Sequence, residues 1–456
     1  MKQLLRTLTL LLVCALMLTG CEKFLDEKQN QSLITPGQVQ DLQSLLDNNS
    51  QINNTDVNSA EISADNYFLT EGDFNSLSEF ERNMYVWNPA NLFEPGINNA
   101  WVIMYAKIYK ANVVLYEIEK IDKSVNVSQW NNLKGQALFL RAKSFLQVAS
   151  VWSPAYDPAI AGEERGIPLR LDPNFNAKST RSSMHETYSQ IISDLKFAIH
   201  LLPESPLHVF RASKAAAYGM LARTYLFMRE YSKAGLYADS CMQLKDNLMD
   251  YNIPIEGYFD PSQSYPFTRF NPEVIYEETM EYPSSLYYGN IADDLYHSYD
   301  ENDLRKTLFC NTEGMGPEGF RGDYDGSLGI FAGLATDEVI LMRAECYARA
   351  GNITAAMADL NTLMIKRWKN NGTFVPFTAS DPSDALKKIL AERRKELLFR
   401  RLRWMDIKRL NKENAGIVLT RILAGKTYTL APNDLRYALP IPEDVIKISG
   451  MPQNPR

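Results

Sequence analysis

The sequence predicts a mostly α-helical fold, a scaffold of helix pairs carrying long irregular insertions. Three observations lead there. Apolar residues recur at helical spacing over much of the chain, start and stop signals bracket those runs, and strand-like alternation is scarce and short. The stretch SSMHETYSQIISDLKFAIHLLP shows all of this. Ser183 and Glu186 have capping-box spacing, Tyr188, Ile191, Ile192, Leu195, Ala198, Ile199 and Leu202 follow on one face, and Pro203 ends the run.

From the start of the chain, Lys2 and Arg6 precede an apolar run from Leu8 to Leu18. A membrane-spanning helix needs about 20 apolar residues, so this layout is that of a secretory signal peptide over residues 1–20. The run ends in Leu-Thr-Gly-Cys, a bacterial lipobox pattern, in which Cys21 is acylated and becomes the new N-terminus. Residues 21–60 are rich in Asn, Gln, Ser and Asp and read as a lipidated start and tether, ordered where it docks. Helices are then expected at roughly 101–121, 129–151, 183–202, 212–228, 232–245, 336–350, 353–370 and 384–411.

Four of these helices repeat a small residue three before an aromatic: Ala106/Tyr109, Ala142/Phe145, Ala222/Tyr225 and Ala344/Tyr347. A small residue admits a neighbouring helix, and the aromatic one turn on fills the space beside it. In YGMLARTYLFMREYSKAGLYA and ILMRAECYARAGNITAAMADL a second helix follows a short turn, which resembles the tetratricopeptide pattern. The copies are unevenly spaced, which excludes a regular solenoid and places long insertions between pairs. The expected organisation is therefore an N-terminal helical region at 61–245, an aromatic-rich insertion at 246–335 and a C-terminal helical region at 336–456. A second aromatic, irregular stretch covers 63–100.

Composition narrows the chemistry. The formal charge of −7 falls to −9 once Lys2 and Arg6 leave with residues 1–20, which argues against nucleic acid as a partner. Cys241, Cys310 and Cys346 are too few and too scattered for a disulfide framework. GMGPEG, Gly314 to Gly319, fits a dinucleotide spacing by form but lacks the strand-to-helix frame, so it reads as a loop. His185, His200, His208 and His297 show no metal-ligand spacing. The basic run Lys387–Lys412 is interleaved with Glu392, Glu396 and Asp406, pairing such as Glu396/Arg400 and Arg403/Asp406 being expected on a solvated or partner-facing helix. DENDLR, Asp300 to Arg305, reads as a capped, ion-paired loop, with a structural Ca²⁺ as the other reading of its carboxylates; no other cofactor or metal is implied.

Five segments occur in a recognisable order: GQALFLRAKSFLQVASVW (135–152) followed by GIPL; TRSSMHETYSQIISDLKFAIHLLP (180–203); DEVILMRAECYARAGN (337–352) with LNTLMIKR; ERRKELLFRRLRWMDIKRL (392–410); and LPIPEDVIKISGMPQNP (439–455). Together, behind a lipobox, they resemble the SusD/RagB family, and the likeness covers nearly the whole mature chain. One departure is Arg400-Arg401, where the family usually has Glu-Gly, which puts an ion pair of that helix in question. The resemblance implies a binding protein rather than an enzyme. It implies an outer-membrane lipoprotein facing the extracellular side, partnered with a SusC-like TonB-dependent transporter and capturing a nutrient, usually an oligosaccharide or polysaccharide. Peptide or glycopeptide capture and a surface glycan hydrolase are the alternative readings; hydrolysis would need two carboxylates flanking the bond.

A flat ring can stack on the apolar face of a sugar while neighbouring polar groups bond its hydroxyls. On that basis the expected ligand-binding residues are Trp87, with Asn88 beside it, then Tyr67, Arg82, Phe93, Tyr287 and Tyr288.

Overall fold

The computed structural model describes residues 38–96, 99–311, 319–326 and 329–456. The signal peptide, Cys21 and nearly all of GMGPEG lie outside them. Among the described residues, nine helices form the scaffold: α1 (Ala100–Ile118), α2 (Val127–Trp152), α3 (Met184–Leu201), α4 (Lys214–Phe227), α5 (Tyr231–Met242), α6 (Thr336–Arg349), α7 (Ile353–Met364), α8 (Pro382–Glu396) and α9 (Arg403–Asn411). Strands among the described residues form two-stranded antiparallel ladders, so the fold is mostly α.

Local signals account for the helix starts. Asn99 caps α1, its side chain accepting from Val102 N at 3.0 Å. The capping box of α3 is closed in both directions, Ser183 Oγ accepting from Glu186 N at 3.1 Å and Glu186 Oε2 from Ser183 N at 2.8 Å. Helix α2 is the spine, buried without interruption from Gly135 to Trp152. A Cβ on Gly135 would sit 2.9 Å from the Leu202 side chain, so α2 and the end of α3 approach to a distance only glycine permits. Helices pack as consecutive antiparallel neighbours, α1 on α2, α2 on α3, α4 on α5 and α6 on α7, with α5 also on α6 and α6 on α8. The small/aromatic repeat marks that packing in three of its four places: Ala142, Phe145, Ala222, Tyr225 and Ala344 are buried, with Tyr347 partly so. Tyr225 stacks on Tyr237 of α5, centroids 5.5 Å apart and rings 5° from parallel. The fourth place differs, for Ala106 and Tyr109 both face solvent.

Two expectations are corrected. Residues 38–60, read as part of a tether, are already folded onto the scaffold. Helix Val39–Leu46 puts Leu42 and Leu46 into a cluster with Ala111, Val114, Trp130 and Leu133, and Asp47 holds Arg211 through two bonds of 2.9 and 2.6 Å. The single helix expected at 384–411 breaks between α8 and α9. Phe399 and Arg401 take left-handed backbone angles, φ 57° and 62°, because tertiary partners pull on this turn. The Phe399 ring packs on Phe320 and Tyr67, Arg400 reaches Asp337 at 3.1 Å, and Arg401 pairs with Asp56 at 3.0 Å while its N–H bonds Glu61 at 2.9 Å. Arg401 is held in that left-handed turn by Asp56 and Glu61.

The charged run is also not a solvated face. Glu392, Arg393, Glu396, Arg400, Asp406 and Arg409 are all buried. Glu396 does not pair with Arg400; its two oxygens receive Arg367 at 2.8 Å and Arg305 at 2.9 Å. Arg305 also grips Asp303 and Glu392, and Arg367 grips Glu273. Asp303 therefore serves as a partner to Arg305, as the ion-paired reading of that loop expects. Burial alone would push the Glu396 carboxyl up; the guanidiniums of Arg367 and Arg305 more than reverse this and hold it below its ordinary range.

Lys408 ends the spine. Its ammonium donates to the carbonyls of Ser150 at 2.9 Å and Ser153 at 2.6 Å, at the C-terminus of α2. Burial lowers its pKa to about 7, with Glu164 partly opposing.

Two outcomes follow for stability. Glu396→Ala leaves Arg305 and Arg367 short of a buried counter-charge and should cost about 3–5 kcal/mol in a denaturant titration. An unfolded chain keeps the Lys408 proton up to about pH 10.5, whereas the folded one releases it near 7. Its contribution to stability therefore rises with pH across that window, and Lys408→Met should flatten that part of the pH–stability curve.

Candidate ligand-binding site

Aromatic side chains from 63–100 and from the insertion meet around one arginine. Arg421 lies on the inward side of strand Leu419–Leu423, which alternates buried and exposed residues and pairs with Lys426–Leu430. Its guanidinium donates to four carbonyls, those of Tyr85 (2.9 Å), Tyr67 (2.8 Å), Ile62 (3.2 Å) and Ala64 (2.5 Å). It also sits over the rings of Tyr85 (3.6 Å), Tyr67 (5.1 Å) and Trp87 (5.2 Å). These three rings are the walls of a buried cation site.

That placement revises the first expectation. Trp87 is 1% exposed, and its Nε1–H donates to the Ser63 carbonyl at 2.9 Å. A ring packed on all sides offers no face to a ligand, so the Pro- and Asn-rich surroundings that suggested exposure are misleading. Tyr67 is buried too, and Phe93 packs against Trp152, centroids 5.5 Å apart. Arg82 is half-buried and donates to the carbonyls of Asn75 and Leu77, closing its own loop. Asn88 donates to Asn83 at 2.9 Å, and its carbonyl accepts from Arg456 at 3.0 Å. The seven residues thus do not form one cluster.

Tyr287 and Tyr288 stand apart from the others. They are 44% and 40% exposed, their centroids are 5.2 Å apart, and the rings are nearly perpendicular. The mount beneath them is rigid. Tyr67 donates to Ser285 Oγ at 3.0 Å, and Glu81 accepts from Ser285 N at 2.6 Å, fixing the short helix Ser284–Tyr287. A Cβ on Gly289 would meet the Tyr67 ring at 2.6 Å, so the chain passes directly over that ring. Tyr67–Phe68 pairs with Asn290–Ile291, which leaves Phe68 outward at 39% exposure.

Tyr282, 6.4 Å from Tyr287, joins this pair to an open groove of about 530 Å³. Arg269, Asp325, Glu281, Thr279 and Asn54 line the groove. Arg269 is set in place by Glu277 (2.9 Å), Asn54 (2.8 Å) and Asp325 (3.3 Å), with its plane over Phe210 and Phe270. Burial lifts the Glu277 carboxyl to about 7 against the pull of Arg269. Tyr282, Phe68 and Arg269 also belong to this candidate surface, and nothing in their immediate sequence marks them out from packed neighbours. Among the described residues no three His, Cys, Asp or Glu side chains gather in a metal-ligating group.

The helical scaffold thus presents exposed tyrosines beside a polar groove. Residues 23–226 match the SusD-like family model described as starch-binding and associating with the outer membrane, and residues 336–456 match the SusD/RagB model of the SusD family. The chain belongs to the SusD/RagB family, whose members are outer-membrane-associated, carbohydrate-binding proteins. A SusD-like protein P2 of Formosa agariphila is 24% identical over 420 residues, covering 78% of this chain and 79% of that protein. A SusD superfamily structure from Bacteroides thetaiotaomicron superimposes with a TM-score of 0.73 at 21% identity, covering 92% of this chain and all of that one. A laminarin-binding SusD-like protein gives a TM-score of 0.62 at 16% identity, over 91% of this chain and 97% of its own. No described helix is long and apolar enough to cross a membrane.

Burial separates platform from core in a measurable way. Trp87→Ala should destabilise the fold by about 3–5 kcal/mol, whereas Tyr288→Ala should change thermal stability by less than about 0.5 kcal/mol.

Proposed function

We propose that this chain is a non-catalytic cell-surface lipoprotein, anchored through Cys21, that captures an oligosaccharide and passes it to a SusC-type TonB-dependent transporter. The observation that carries this reading is the exposed, rigidly mounted Tyr287/Tyr288 pair beside the Arg269 groove. Pre-set rings lose little freedom on binding, and a nearby arginine and carboxylates can bond ring hydroxyls. The insertion that supplies both parts, residues 246–335, is the region that would set ligand choice, as inserted loops on a conserved scaffold usually do. Family membership and the laminarin-binding relative support a glycan over a peptide.

Native gel electrophoresis through laminarin, starch and other neutral glycans tests the reading. At least one glycan should retard the wild-type protein, and Tyr287→Ala/Tyr288→Ala should weaken that retention about tenfold, the equivalent of about 1.4 kcal/mol. Undiminished retention in the double variant, with its melting curve unchanged, would remove the tyrosines from the site. Appearance of new reducing ends on incubation would overturn the non-catalytic part.

A further inference from the structure

A second cavity, of about 320 Å³, lies away from the tyrosine face and shares no lining residue with its groove. It is bounded by the segment after α2, the loop before residue 166, helix α9 and the C-terminal tail. Its apolar walls include Pro154, Ala155, Leu435 and Pro455. Set among them are under-satisfied polar atoms. Glu164 Oε2 and the Tyr437 hydroxyl are buried without a hydrogen bond of full geometry, the Tyr437 hydroxyl having only the Asn411 side chain near it. The Lys408 nitrogen spends two donors on the carbonyls of Ser150 and Ser153 and has a third when protonated.

Buried polar atoms are normally satisfied by protein, water or ligand, so this cavity offers hydrogen-bond partners to hydroxyl groups that enter it. Its chemistry can be read from the lining. Lys408, Lys412 and Arg165 stand against Glu163, Glu164 and Asp434, so the wall carries no net charge to recruit an ion. Lys412 and Asp434 are moreover engaged with Asp157 at 3.5 Å and Arg436 at 2.8 Å. The remaining groups are a carboxylate acceptor, an ammonium donor and a hydroxyl that can serve as either. Hydroxyl groups of a ligand can answer all three, while its C–H face covers the proline and alanine walls. The Tyr437 ring, braced by Trp404 at 4.8 Å, closes one side. The volume lies at the small end of ligand pockets.

We infer that this cavity is a separate binding site for a neutral polyhydroxylated molecule of one or two sugar rings. It stands on this geometry alone and is independent of the tyrosine face.

The test is ligand-observed NMR and calorimetry on the mature chain with D-glucose, D-galactose, maltose and cellobiose. At least one should bind saturably, with the same affinity in the Tyr287→Ala/Tyr288→Ala variant. Glu164→Ala should weaken that binding about tenfold, and Ala155→Phe should abolish it by filling the space. Glu164 is partly exposed, so its variant remains informative where Ala155→Phe does not fold. No saturable binding by any of the four sugars would overturn the site. Binding that is lost in the tyrosine variant and unaffected by Glu164→Ala would overturn it equally.

Discussion

The pairing of Glu396 with Arg305 and Arg367 is the contact on which the rest of the molecule depends. It joins three parts of the chain: the end of α8, the turn after α7 and the insertion, whose Glu273 and Asp303 complete the set. Removing these charges from water is expensive, and each is compensated only because all are present together. The consequence is architectural. An insertion made of short helices and two-stranded ladders has little regular structure of its own, and ion pairs buried against the scaffold fix where it sits. Arg421 does the same for 61–93, gathering four carbonyls and three rings at one guanidinium. Tyr67 links Arg421 to the exposed tyrosines: it packs beside Arg421 and holds Ser285 under them.

The scaffold was largely legible in the sequence, because periodicity and caps are local properties. Ser183, Glu186 and Pro203 bound α3 without reference to anything distant. The break between α8 and α9 was not legible, since nothing near Phe399 or Arg401 forbids a helix. Asp56, Glu61, Asp337 and the rings around Phe399 impose it from far along the chain. The same limit applied to the charges of that segment. Spacing of three and four residues proposes partners on one helix, but Glu396 finds its own in Arg305 and Arg367, which periodicity cannot indicate.

The candidate site was legible only in part. Aromatic density picks out the segments 63–100 and 246–335, yet a tryptophan beside asparagine and proline has the same local sequence whether it faces water or packs on Arg421. Tyr287 and Tyr288 are exposed because Gly289 and Ser285 tie their backbone over Tyr67, a long-range arrangement. One hairpin is legible locally. LTRIL and KTYTL alternate around Ala424-Gly425, both at positive φ, which marks a hairpin with Arg421 on the same side as Leu419 and Leu423.

Solved relatives near 20% identity share the scaffold over nine-tenths of this chain, which is what a core set by helix pairing and buried ion pairs would preserve. Capture for a transporter can be checked by native co-purification from outer membranes through this chain. A TonB-dependent barrel should be recovered in near-stoichiometric amount and lost when Cys21→Ser removes the lipid anchor and the protein no longer reaches the membrane. Recovery of the membrane-bound protein with no barrel would contradict that role.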